Sequence, residues 1–151
     1  MNLLDLFSRS DDVQEFAPGT SIFEQGAPGN VMYVVLSGEA EVRVNGRLID
    51  AVRPGELLGE MALIDVHQRS ATAVAKTHCR LAPVDEKRFL FMVQQTPFFS
   101  LHVMRVLAER LRRMNAHLAA NLHKESPVEI GTNARASQGN LAHPTDNLLA
   151  M

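Results

Sequence analysis

Cysteine, net charge and long apolar runs are all scarce in this sequence, and each scarcity excludes a class of protein. The 151 residues include one cysteine, Cys79, so no internal disulfide can form and a reducing compartment is expected. A formal net charge of −2 offers no basic surface for nucleic acid or for an anionic membrane. No apolar run is long enough to span a bilayer, and the start has no basic-then-apolar export signal. These observations predict a cytoplasmic globular protein of one domain.

The sequence signatures of enzymes and metal centres are also missing. There is no P-loop, no dinucleotide fingerprint and no nucleophile elbow that would support a Ser-His-Asp or Cys-His pairing. Paired carboxylates at 11–12 and 85–86 fall at element boundaries, where helix capping explains them. Metal-ligand spacing on predicted helices is absent for the six histidines, which are His67, His78, His102, His117, His123 and His143. We therefore expect no catalytic site, no metal and no cofactor.

The sequence is rich in short strand-like runs that are separated by turn residues. Apolar and polar residues alternate over 39–44, and Asn45-Gly46 after this run is a strong hairpin signal. Pro18-Gly19 and the segment 26–29 mark further turns. The predicted strands are residues 13–17, 21–25, 31–36, 39–44, 47–52, 71–75 and 79–84. Short strands with such turns favour an antiparallel sandwich or barrel, preceded here by an N-terminal helical segment over 1–12.

From Asp85 onward the spacing of apolar residues becomes helical. Asp85 can cap a short helix, and Pro97 separates it from a long helix that runs from about 98 to 123. Apolar residues of the long helix recur at spacings of three and four, and they are Met104, Leu107, Leu111, Met114 and Leu118. The first half of this stripe is expected to pack on the β domain. The second half either folds back on that domain as a lid or pairs with a second copy, so that a homodimer would form through 104–122. Pairing would place Arg112 or Arg113 beside the partner's Glu109.

Residues 54–72 combine groups that suit a phosphate with a group that suits a sugar. Gly59 lets the backbone approach a ligand closely, and the amides that begin the next turn can bind an anion. Arg69 supplies a planar, permanently charged fork for phosphate oxygens, and Ser70 supplies a hydroxyl donor. Glu60 is itself an anion and therefore suits a sugar hydroxyl. Donors for a phosphate beside an acceptor for a ribose indicate a nucleotide.

Two motifs in this stretch resemble the phosphate-binding cassette of the cyclic nucleotide-binding domain family, which includes catabolite activator proteins and protein kinase A regulatory subunits. They are Gly59-Glu60-Met61-Ala62-Leu63 and Arg69-Ser70-Ala71-Thr72. The resemblance implies that Arg69 binds the cyclic phosphate and Glu60 the ribose 2′-hydroxyl. The rest of the cradle would come from Ser70 and from the backbone around Gly59, Met61 and Ala62. The link 65–68 lacks the Gly and Pro that often precede the arginine, which predicts a changed loop conformation.

The resemblance also implies a fold that is mainly β with C-terminal helices. Residues 13–84 would form an antiparallel β jelly roll, also called a double-stranded β-helix. A short helix and a long helix would follow over 85–125. Residues 126–151 show no periodicity and are predicted to be a disordered tail. Catabolite activators carry a helix-turn-helix domain after the long helix, but this tail is too short and too weakly basic for one, so DNA binding is not expected.

Side chains that face the base are predicted both in the β domain and on the long helix. Base selectivity is assigned to Val52, Leu58 and Thr72, and Ala71 joins the predicted ligand-binding residues of the cassette. An alignment with catabolite activators on 108–111 places Met114 and Asn115 where hydroxyl residues contact the base. Asn115 can donate and accept hydrogen bonds, whereas Met114 can only pack.

The resulting hypothesis is a non-enzymatic sensor of a cyclic purine nucleotide, with cAMP ahead of cGMP. Ligand would stabilise one position of the helices that follow Asp85 and so signal to an effector protein of unknown identity. The rival hypothesis is a degenerate family member that binds no nucleotide and serves as a dimerisation or partner-docking module. A third, enzymatic hypothesis requires a catalytic domain elsewhere in a larger assembly.

Overall fold

The described part of the chain, residues 3–64 and 68–124 of this computed structural model, contains eight strands and four helices. The strands are β1 (Gln14–Phe16), β2 (Ser21–Phe23), β3 (Val31–Ser37), β4 (Ala40–Val44), β5 (Arg47–Val52), β6 (Leu57–Leu58), β7 (Thr72–Ala75) and β8 (Cys79–Asp85). The helices are α1 (Leu3–Phe7), α2 (Met61–Ile64), α3 (Glu86–Gln95) and α4 (Phe98–Lys124). Most of the predicted link 65–68 and all of the predicted tail 126–151 lie outside the described residues.

The strands form two antiparallel four-stranded sheets in which most neighbours are far apart in sequence. One sheet has the order β1-β8-β3-β6, and the other has the order β2-β7-β4-β5. Long-range antiparallel pairing within each of two sheets is the arrangement of a jelly roll. The predicted fold class, mainly β with helices at the C-terminal side, is therefore confirmed.

Local sequence signals located the strands well. All seven predicted strands are present, and their ends differ from the prediction by at most two residues. The hairpin between β4 and β5 turns at Asn45 and Gly46, whose φ angles of 51° and 79° are the positive values that a type I′ turn requires. Strand β6 was not predicted, because its two residues are too few to show an alternation.

Buried apolar residues form two clusters, one on each face of the β1-β8-β3-β6 sheet. The period of two along β3 sends Met32 and Val34 into the first cluster and Val35 into the second. Helices α1 and α4 cover the first face, and the members of that cluster are Leu3, Phe7, Met32, Val34, Leu57, Ala82, Val84, Phe99 and Val103. The second cluster lies inside the roll and consists of Val35, Ala40, Val52, Leu58, Ala73, Ala75, Cys79 and Leu81.

Helix α3 is fixed to the β domain by a cap and by one arginine. As predicted, Asp85 caps the helix, since its Oδ1 accepts a hydrogen bond of 2.7 Å from the backbone N–H of Arg88. Arg88 donates from Nη1 to the carbonyl oxygen of Pro83 at 2.8 Å and from Nη2 to Oγ of Ser10 at 2.9 Å. Its guanidinium also lies 5.3 Å from the ring centroid of Phe7. The arginine thus joins the N-terminal segment, β8 and α3.

The apolar stripe predicted on the long helix is divided between two environments. Residues 3–108 belong to one compact unit, in which Leu107 packs against the first core cluster. The described residues 109–124 belong to a second unit, in which Leu111 and Leu118 are 59% and 51% exposed. Leu107 therefore packs in the core of its own chain, whereas the side chains of Met104, Leu111 and Leu118 are exposed.

The Asp85 cap gives a stability prediction. Asp85→Ala should lower the free energy of unfolding by about 1 kcal/mol, because the Arg88 N–H loses its acceptor at the start of α3. Asp85→Asn keeps a side-chain acceptor and serves as the control. Urea denaturation of the two variants measures the difference, and equal losses in both would contradict the capping role.

Candidate functional site

The first predicted motif forms a tight turn from β6 into α2. Gly59 follows β6 and has a φ of +71°, a value that favours glycine. The turn is closed by backbone hydrogen bonds of 3.1 Å from Ala62 N–H to the carbonyl oxygen of Gly59 and from Leu63 N–H to that of Glu60. The short helix α2 follows directly and begins at Met61.

Arg69 of the second motif points into the protein, where it is only 8% exposed. Its Nη2 donates to the carbonyl oxygen of Val31 at 2.7 Å, and its Nη1 donates to that of Gly59 at 3.3 Å. The guanidinium carbon lies 4.2 Å from the ring centroid of Phe23. Among the described residues, the buried Nε has no hydrogen-bond partner. Desolvation lowers the pKa of Arg69, an effect that Tyr33 opposes, and arginine remains charged at physiological pH.

The loop between β2 and β3 holds the backbone of the same arginine. Arg69 N–H donates to the carbonyl oxygen of Ala27 at 2.8 Å, and Gly26 N–H donates to the carbonyl oxygen of Arg69 at 2.8 Å. Pro28 and Gln68 extend this pairing as an isolated antiparallel bridge. Sequence reasoning treated this loop as turn chemistry alone and missed its role, because the pairing joins residues that are far apart in the chain.

Two glycines leave room for the guanidinium. A Cβ atom at Gly59 would lie 2.5 Å from Nη1 of Arg69 and 3.2 Å from the ring of Phe23. A Cβ atom at Gly29 would lie 2.5 Å from the Cζ of the same guanidinium. The two distances of 2.5 Å to the guanidinium are too short for real contacts. The site therefore depends on the absence of side chains at Gly29 and Gly59. The motif identified Gly59, whereas no signal in the sequence identified Gly29 or Phe23.

The other predicted cassette residues occupy three kinds of environment. Ser70 and Met61 are exposed, and Glu60 and Ala62 are half-buried. Leu58 and Ala71 are buried, Leu58 within the second core cluster. The structure joins Gly59 and Arg69 by a direct hydrogen bond. Ligand contacts of the remaining residues stay predictions.

Thr72 ties the cassette to the tip of the β4–β5 hairpin. Its Oγ1 accepts a hydrogen bond of 2.9 Å from the backbone N–H of Gln25. The Gln25 side chain in turn donates to Oδ1 of Asn45 at 3.1 Å and accepts from the Asn45 N–H at 2.9 Å. One lone pair of the Thr72 hydroxyl is therefore used inside the protein. Val52, also predicted to influence the base, is fully buried in the second core cluster.

The residues predicted to cover the base lie on α4. Met114 is half-buried and Asn115 is exposed, and both belong to the unit that begins at Glu109. Their contact with a base stays a prediction.

Three further features of residues 3–64 and 68–124 bear on function: metal-binding groups, membrane-spanning helices and the Cys79 thiol. These residues contain no group of three or more His, Cys, Asp or Glu side chains that could hold a metal ion. None of the helices in this part of the chain is long and apolar enough to cross a membrane. Burial, helped by Glu39, raises the pKa of Cys79, whose Sγ lies 3.3 Å from the carbonyl oxygen of Glu39. A buried thiol in this state is a poor nucleophile.

Comparisons with known proteins identify the family of this chain. The family model of the cyclic nucleotide-binding domain matches residues 13–96. The chain is 30% identical over 121 residues to the CRP-like cAMP-activated global transcriptional regulator of Mycobacterium tuberculosis, a match that covers 77% of this chain and 54% of the relative. It is 32% identical to the crystal structure of Thermus thermophilus catabolite activator protein, with a TM-score of 0.60 over 72% of this chain and 53% of that one.

A further solved structure, from a cyclic-GMP-dependent signalling pathway that regulates bacterial phytopathogenesis, is 31% identical with a TM-score of 0.62. That match covers 75% of this chain and 95% of the other. This chain therefore belongs to the cyclic nucleotide-binding domain family, as its cassette motifs predicted, and that family is one of regulatory ligand-binding domains. The chain spans about half the length of the curated relatives it matches.

The link between Thr72 and Gln25 gives a prediction about the rigidity of the site. Thr72→Val keeps the shape of the side chain but removes the acceptor, so it should lower the free energy of unfolding by about 0.5–1.5 kcal/mol. Thr72→Ser keeps the hydroxyl and should retain most of the stability. Urea denaturation measures the stability of both variants. A serine variant no more stable than the valine variant would show that the hydrogen bond from Gln25 to Thr72 does not stabilise the site.

Proposed function

We propose that this chain is a sensor module for a cyclic purine nucleotide and that Arg69 binds the nucleotide's phosphate. The observation that carries the proposal is a buried guanidinium whose Nε has no partner among the described residues. A buried donor without an acceptor is costly, so a bound anion would stabilise the site. Because residues 29 and 59 are glycines, no side chain at either position separates the buried Nε from an approaching anion.

Neighbouring residues supply the remaining contacts in this proposal. The exposed hydroxyl of Ser70 follows Arg69 directly and can donate to a second phosphate oxygen. Glu60 lies immediately before α2 and accepts a hydrogen bond from the ribose 2′-hydroxyl. Thr72 is the cassette residue that we assign to the base, whereas base contacts of Met114 and Asn115 stay predictions from the resemblance. Since Oγ1 of Thr72 already accepts from Gln25 N–H, its hydroxyl proton is what it offers to a ligand.

The proposal puts cAMP ahead of cGMP. The relative from Mycobacterium tuberculosis is described as cAMP-activated, which supports cAMP as the first candidate ligand. The structure from a cyclic-GMP-dependent pathway makes cGMP the second candidate. A cytoplasmic site of action is part of the proposal, because the single cysteine, Cys79, is buried as a free thiol.

Signalling would pass through the helices that follow the β domain. The Asp85 cap and the Arg88 bonds attach the start of α3 to β8 and to the N-terminal segment. Ligand that binds one arrangement of these elements better than another shifts the population toward it. The module itself performs no chemistry in this proposal and acts on an effector protein.

A rival function is favoured by one feature of Arg69. Both of its terminal nitrogens already donate to carbonyl oxygens of the chain itself, so the arginine could be a purely structural tie between Val31 and Gly59. The module would then bind no nucleotide and would serve in dimerisation or partner docking. Binding measurements separate these two functions.

We also propose a homodimer through 104–122. Met104, Leu111 and Leu118 are spaced by seven residues and are 65%, 59% and 51% exposed. Exposed apolar residues that repeat every seven positions supply one of the two apolar rows of a coiled-coil seam. Leu107 is not part of this seam because it packs on the core of its own chain. The alternative is a monomer in which the end of α4 acts as a lid over the ligand.

Calorimetry with cAMP and cGMP tests the proposed function. Wild-type protein should bind cAMP, and Arg69→Lys should weaken binding about 10- to 150-fold, because an ammonium cannot replace the planar fork. Arg69→Ala should weaken binding further. Circular dichroism confirms that each variant is folded. If wild-type protein gives neither heat nor a rise in melting temperature at high ligand concentration, the rival function holds.

Sedimentation velocity at micromolar concentration tests the dimer. Leu111→Glu should convert a wild-type dimer into a monomer, because the charge would be buried in the seam. Leu48→Glu on β5 replaces a leucine that is similarly exposed, at 55%, and should leave the dimer intact. A wild-type monomer with and without cAMP would contradict the dimer and assign Leu111 to the lid.

A further inference from the structure

Gly29 lies in the loop between β2 and β3, outside both cassette motifs, and its backbone does not require glycine. The φ angles of the other described glycines are positive, and these are Gly19, Gly26, Gly38, Gly46, Gly55 and Gly59. Gly29 has no such φ, so an alanine could adopt its backbone conformation. What the position requires is space rather than conformational freedom.

The space at Gly29 is filled by the guanidinium of Arg69. A Cβ atom on Gly29 would lie 2.5 Å from Cζ and 2.7 Å from Nη2 of that side chain, and closer still to Nε. Distances this short between heavy atoms without a bond do not occur in real structures. Either the loop or the guanidinium must therefore move when a side chain is introduced at this position.

Neither partner can move without breaking contacts. The guanidinium donates to the carbonyl oxygens of Val31 and Gly59 and lies against the ring of Phe23. Backbone hydrogen bonds join the loop to Arg69 itself, through Ala27 on one side and Gly26 on the other. Because the loop is anchored by main-chain bonds, the flexible end of Arg69 is the part that would be displaced.

We infer that Gly29 is a positioning residue that holds the guanidinium of Arg69, and its Nε above all, where it meets the phosphate of a cyclic nucleotide. This inference rests on the proposed function, since the phosphate is what the positioned guanidinium serves. It extends the recognition site from the two cassette motifs to the loop over 24–30, which hydrogen-bonds the backbone of the arginine and leaves space for its charged end.

The test is Gly29→Ala, with Gly19→Ala as a matched control. The change at Gly29 should weaken cAMP binding about 10- to 150-fold, the loss expected for one charge-assisted hydrogen bond. A Cβ at Gly19 meets no atom within 4 Å, but the φ of +83° is strained for alanine. Gly19→Ala should therefore lower the melting temperature while leaving the affinity for cAMP unchanged. Equal affinity in wild type and Gly29→Ala would overturn the inference.

A double-mutant cycle shows whether the loss passes through the arginine. In an Arg69→Lys background the planar guanidinium is gone, so Gly29→Ala should reduce cAMP binding by less than threefold, far below its effect in the wild type. A general disturbance of the loop would instead give losses that multiply. Multiplying losses would overturn the role of Gly29 in positioning Arg69.

A readout without ligand keeps this test separate from the proposed function. The Nε–H resonance of Arg69 in ¹H–¹⁵N spectra is identified by its disappearance in Arg69→Lys. It should shift in Gly29→Ala and stay in place in Gly19→Ala. If wild-type protein fails to bind cAMP while this shift occurs, the proposed function fails and the positioning of the guanidinium stands. An unshifted resonance in Gly29→Ala would refute the positioning itself.

Discussion

The burial of one permanently charged side chain is the constraint on which the rest of the site depends. Removing a guanidinium from water costs several kcal/mol unless its donors are satisfied. Arg69 meets this cost in part with two carbonyl oxygens and the face of Phe23, and the described residues leave its Nε without a partner. The guanidinium occupies space that a side chain at residue 29 or 59 would fill, which explains why both positions are glycines.

The same arginine connects segments that are distant in sequence. Its backbone pairs with the loop over 24–30, and its side chain reaches β3 and the turn before α2. Thr72 and Gln25 carry this connection to the tip of the β4–β5 hairpin. A ligand at Arg69 would thus act on several elements at once, and binding energy at one group can bias their arrangement. The hydrogen bonds of Asp85 and Arg88 attach the start of α3 to β8, so a change in the β domain would be transmitted to α3.

The parts of this account that the sequence predicted are those governed by local rules. Turn residues such as Asn45-Gly46 and the alternation of apolar and polar residues located the strands. The spacing of Gly59 and Arg69 located the cassette. Contacts between remote segments were beyond such rules, so Gly29 and Phe23 were missed. Strand β6 was missed because two residues carry no period. The first half of the stripe on α4 was expected to pack on the β domain, which holds for Leu107 but not for the exposed Met104, because a heptad pattern does not specify how far the helix turns toward the sheet. Roles for Glu60, Ser70, Met114 and Asn115 stay predictions.

The central claim is that the Nε–H of Arg69 donates to a phosphate. Its ¹H–¹⁵N resonance can be followed while the ligand-free protein is titrated with cAMP and, separately, with adenosine, which lacks the phosphate. The account predicts that cAMP shifts this resonance and slows its exchange with water, because a charge-assisted hydrogen bond forms, whereas adenosine leaves it in place. A resonance that is unchanged at saturating cAMP, or that adenosine shifts equally, would contradict the claim.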